Sequence, residues 1–89
     1  MTLPENEMRL SDAETGAPMV VIGLDDPAGL PDLQMRLREL GFMEGEPVCV
    51  LRRGQPGGEP LAVRIGASTF ALRRIEAACV RVAARHSAR

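Results

Sequence analysis

Arg38-Glu39-Leu40-Gly41-Phe42-Met43-Glu44-Gly45-Glu46-Pro47-Val48-Cys49-Val50 is the stretch that decides the fold, because a helix, a turn and a strand follow one another within it. Upstream, Leu30, Leu33, Leu37 and Leu40 recur at intervals of three, four and three and therefore share one helical face. Arg36, Arg38 and Glu39 project elsewhere. Pro31 suits a first helical turn, and Asp32 is favourably placed near the helix N-terminus. Gly41 falls where a left-handed C-terminal cap is expected. So short a helix is unstable alone and must dock its leucines on a sheet. Downstream, Val48 and Val50 share one face of a strand, with Cys49 on the other.

The flanks supply the sheet. Leu10 is the first core contact, and Ser11–Gly16 is a turn in which Gly16 can take a positive φ. Ala17–Leu24 is rich in Val and Ile and predicts a strand buried at its centre, broken by Asp25-Asp26-Pro27-Ala28-Gly29. After the loop Gly54–Pro60, Leu61–Ile65 alternates as a half-buried strand does. Gly66-Ala67-Ser68 turns the chain, and Thr69–Leu72 is the hairpin partner. Arg73–Ala78 has the length of one helical turn, and Cys79–Val82 closes the sheet with Val80 and Val82 inward and Arg81 outward. The sum is a mainly β domain: a small, SH3-like, partly open barrel of about five strands with one inserted α-helix. Residues 8–83 form it, 1–7 a polar leader and 84–89 a basic tail.

Composition narrows the function. With 89 residues there is room for one domain and a modest core. Phe42 and Phe70 are the only aromatic residues, too few for a base-stacking or proline-reading surface as well as a core. A net charge of −1 gives no general attraction to nucleic acid or anionic lipid. The basic residues are all arginine: Arg9, Arg36 and Arg38 in the first half, against eight in residues 51–89, where the only acids are Glu59 and Glu76. Cys49 and Cys79 lack CxxC spacing and are expected as free thiols, with no intrinsic metal site. His86, with surface carboxylates, is expected at most to trap an adventitious divalent ion such as zinc between molecules. The start has an acidic flank and no apolar core of a signal peptide, and Ala17–Ile22 is too short to span a membrane, so a cytoplasmic location is expected.

In order along residues 8–82, several segments closely resemble the ferrous iron transport protein A (FeoA) family. They are Leu10–Gly16, the Leu37-Arg38-Glu39-Leu40-Gly41-Phe42 segment with Gly45 and Val48, Pro60–Arg64 with Gly66, Ala71-Leu72-Arg73, Glu76-Ala77 and Val80-Arg81-Val82. The resemblance implies an SH3-like barrel and a non-catalytic cytosolic accessory to FeoB, the membrane protein with a GTPase domain that imports ferrous iron. A similar barrel closes iron-dependent repressors of the diphtheria toxin repressor type, which makes a metal-responsive regulator that binds a transition metal the alternative.

The candidate site is the corner where the helix ends. Leu37 and Leu40 are expected to pack inward, but a barrel this small does not easily bury both Phe42 and Met43. Met35, Arg38, Leu40, Phe42 and Met43 are therefore the expected partner-binding residues. No catalytic residue is expected: phosphate-loop, nucleophile-elbow and zinc-protease motifs are all missing, and Asp25-Asp26 and Glu44/Glu46 fall in solvated turns. Arg52-Arg53 and Arg73-Arg74 are expected as surface charges able to meet an acidic partner. Open sheet edges would allow a homodimer.

Overall fold

The computed structural model describes residues 7–26 and 29–85. Its elements are β1 (Met8–Arg9), a 3-10 turn (Leu10–Asp12), β2 (Met19–Leu24), α1 (Pro31–Leu40), β3 (Pro47–Arg53), β4 (Leu61–Ile65), β5 (Ser68–Leu72), α2 (Arg74–Ala77) and β6 (Val80–Ala84). The strands form one antiparallel sheet in the order β1-β6-β2-β3-β4-β5. The sixth strand is the two-residue β1, too short to show a period in sequence. His86 and the first six residues lie outside the described residues.

Alternation drives the sheet to one side. Val48 and Val50 of β3, Leu61, Val63 and Ile65 of β4, and Val80 and Val82 of β6 are buried, while Arg64 is exposed and Arg81 half-buried between them. Each such side chain contributes about 1.5–3 kcal/mol relative to exposure. Irregularities between Val21 and Gly23 and between Val50 and Arg52 bend β2 and β3, and bulges of this kind coil a sheet around its core. β2 is buried through its centre on one face. Met19 and Val21 are buried, but Val20 and Ile22 are only half-buried, so the strand is amphipathic and not enclosed on both faces.

Helix α1 ends as its sequence dictates. Gly41 takes φ 111°, its N–H donates to the Arg38 carbonyl, and the Phe42 N–H donates to the Leu37 carbonyl at 3.0 Å. This pair of bonds is a Schellman motif, which brings the residue after the glycine against the one at the start of the last turn. Phe42 and Leu37 are both fully buried there. The helix is most deeply docked at this end: Leu33 and Leu40 are half-buried against the core and Leu30 is exposed. No described helix is long and apolar enough to cross a membrane.

Candidate functional site

The Schellman turn delivers the chain from α1 towards β2. The Val21 N–H donates to the Glu46 carbonyl at 2.9 Å, and the Gly45 N–H donates to the Val21 carbonyl at 2.8 Å, which fixes the turn against the sheet. Between this turn and the β2–β6 pair lies a cleft of about 470 Å³, lined by Gly23, Leu24, Arg38, Phe42, Met43, Glu44 and Arg81. Met43 is 59% exposed and forms its apolar lip. Arg38 has no hydrogen-bond or ion-pair partner among the described residues.

Phe42 requires a correction. It is 0% exposed, so its ring backs the cleft from beneath and cannot itself touch a partner. The Schellman geometry is the cause, because it commits this position to an apolar contact with Leu37. That signal, a glycine cap followed by an apolar residue, was present in Leu40-Gly41-Phe42. Leu40 is half-buried against the core and does not line the cleft. Met35 is 60% exposed on α1 but also lies outside it. The structure therefore brings Arg38 and Met43 together at the surface and adds Leu24, Glu44 and Arg81.

Arg81 closes one side of the cleft through a charge network. Its Nε donates to Asp25 at 3.0 Å and its Nη1 to Glu7 at 3.3 Å, while Arg9 donates to the other oxygen of Asp25. Burial alone would raise the Asp25 carboxyl, but the hydrogen bond from Arg9 and the adjacent Arg81 outweigh it and hold the group below its ordinary value. Asp25 is thus an anchor between β1 and β6, not the freely solvated turn acid expected.

The paired arginines also divide. Arg53 donates to the carbonyls of Ser11 (2.9 Å) and Ala13 (2.7 Å), and Arg74 to that of Gly57 (3.0 Å), so one of each pair fastens a loop. Cys79 lies in the turn before β6 and not within the strand. Its thiol is buried and pushed up by that burial, with Asp26 adding to the effect. Cys49 is half-buried on β3. Among the described residues, no three His, Cys, Asp or Glu side chains are grouped to hold a metal ion.

A family model described as the FeoA domain matches residues 8–84. The chain is similar to Stenotrophomonas maltophilia FeoA, an SH3 domain protein solved in complex with zinc, at 43% identity and a TM-score of 0.76, covering 84% of this chain and 88% of that one. It resembles Chlorobium tepidum FeoA at 28% identity and a TM-score of 0.77, covering 92% of this chain and 74% of that one. A manganese-dependent transcriptional repressor shares the fold, with 19% identity, a TM-score of 0.80, and 96% of this chain against 45% of the repressor covered. No curated protein matches the chain. With an SH3-like barrel, the glycine-capped helix end and a family match across nearly its whole length, the chain belongs to the FeoA domain family.

Proposed function

We propose that this protein is a non-catalytic accessory of ferrous iron uptake, working on the cytosolic side by binding a FeoB-type membrane GTPase and iron transporter. The observation that carries the proposal is the family match over residues 8–84, supported by the S. maltophilia relative, named as a candidate ferrous iron transport activating factor. The cleft suits such a role. A guanidinium without a partner among the described residues, beside an exposed methionine, offers charge and apolar area together, a combination typical of protein interfaces. A protein of this kind works by favouring one state of its partner over another. Iron is then the transporter's cargo and need not touch this chain.

The alternative, a metal-responsive regulator, draws on the repressors' shared fold alone, and no grouped donor set among the described residues supports it. The test is ferrous iron uptake by cells lacking the gene, complemented with wild-type protein or with Arg38→Glu/Met43→Glu. Uptake should fall on deletion, return with wild type and stay low with the double variant. Uptake indifferent to deletion would end the proposal.

A further inference from the structure

β5 is an open edge of the sheet, with β4 on one side and, among the described residues, no strand on the other. The β4–β5 hairpin turns on Gly66 and Ala67, and Ile65 faces Ser68 in its first rung. In a two-residue hairpin that rung is hydrogen-bonded, so alternation turns the N–H and C=O groups of Thr69 and Ala71 away from β4. None of these groups has a loop, turn or cap partner among the described residues.

Open edges are ordinarily blunted by charge, proline or a bulge. Ser68-Thr69-Phe70-Ala71-Leu72 has neither charge nor proline, and its register with β4 is unbroken. The opposite edge, β1, is two residues long and carries the ion-paired Arg9.

Beside the β5 edge runs a groove of about 770 Å³. Ala71 lies on its sheet side, Leu30 and Leu33 on its helix side, and Ile75 of α2 also lines it. Leu30 and Ile75 are 43% and 51% exposed, two large apolar side chains that keep about half their surface in water. The first half of α1 walls the groove opposite β5, and an added strand sits about 4.8 Å from its neighbour. The space therefore suits a lone strand better than one that brings its own sheet, as a second copy of this chain would. Charge narrows the occupant further. Arg36 and Glu76 satisfy each other at 3.3 Å, and Asp32 complements the N-terminus of α1. The Arg73 guanidinium has no partner among the described residues.

The geometry points to strand addition at β5: an extended, apolar segment of a partner protein pairs with Thr69 and Ala71, rests on Leu30 and Ile75, and places a carboxylate at Arg73. The identity of that partner as the FeoB-type transporter rests on the function proposed above. The test titrates the full chain against the detergent-solubilised transporter. Ala71→Pro removes an outward N–H and leaves the bonds to β4 in place. Ile75→Glu charges the groove without touching the edge, and decides the matter alone if the proline variant folds poorly. Each should weaken binding about tenfold or more, while Leu51→Glu, on exposed β3 surface, should bind as wild type does. Equal binding by wild type, Ala71→Pro and Ile75→Glu would overturn strand addition and leave the uptake function standing. A wild-type chain that does not bind would overturn both. A doubled mass in the free chain that Ala71→Pro abolishes would assign the edge to a second copy and overturn the inference.

Discussion

The guanidinium of Arg81 lies against the bare Cα of Gly23, where a methyl group would approach its Nη2 to 2.3 Å. Gly23 is thus the position that lets Arg81 fold down over β2 and reach Asp25 and Glu7. Gly23→Ala should displace the guanidinium, a flexible group, so the cost in stability should be small. Its signature is electrostatic: the Asp25 carboxyl should move up towards the ordinary carboxylate range, as followed by NMR titration. An unchanged titration would show that Arg81 holds Asp25 by another route.

The same network makes stability depend on pH. Asp25 has a lowered value in the folded protein, so its contribution is complete above the unfolded carboxyl value of about 3.9 and is lost as pH falls through the folded value. Asp25→Asn should melt below wild type at neutral pH, and the gap should close as acid is added. A gap that persists under acid conditions would contradict the assignment.

Phe42 and Met43 are neighbours with opposite roles. Phe42→Ala should cost about 3–5 kcal/mol, because it empties a fully buried site against Leu37. Met43→Glu should change stability by less than about 0.5 kcal/mol, since the side chain is exposed. Urea denaturation of the two variants checks both, and equal losses would refute the division.

Arg52 and Arg53 should divide similarly. Arg53→Ala removes two charge-assisted bonds to Ser11 and Ala13 and should cost about 2 kcal/mol. Arg52→Ala should cost little, because Arg52 is exposed with no such bond. Thermal melts of the pair would expose an error if Arg52 proved the costlier loss.

Most of the frame was legible in the residues because it rests on periodicity. The leucine spacing gave α1, Gly41 its end, and the alternation of β3, β4 and β6 the inward face of the sheet. What stayed hidden depends on contacts distant in sequence. Asp25 meets Arg9 and Arg81, and Arg53 meets Ser11 and Ala13, only after the sheet has coiled. No local pattern announces such partners, so Asp25 looks like a solvated acid and Arg53 like a surface charge. Phe42 is a different case. Its burial follows from the glycine cap beside it, which commits the next residue to the core even where a small core has little room. Arg38 and Met43 remain at the surface where the helix-end segment placed them, and the cleft they share with Arg81 needed the β2–β6 pairing to exist.

The most direct measurement is equilibrium binding of the full chain to the purified FeoB-type transporter, with wild type set against Arg38→Glu/Met43→Glu. The account predicts saturable binding by wild type and at least about tenfold weaker binding by the double variant, with both proteins folded by circular dichroism. Wild-type protein that shows no binding, or a double variant that binds equally well, would contradict it.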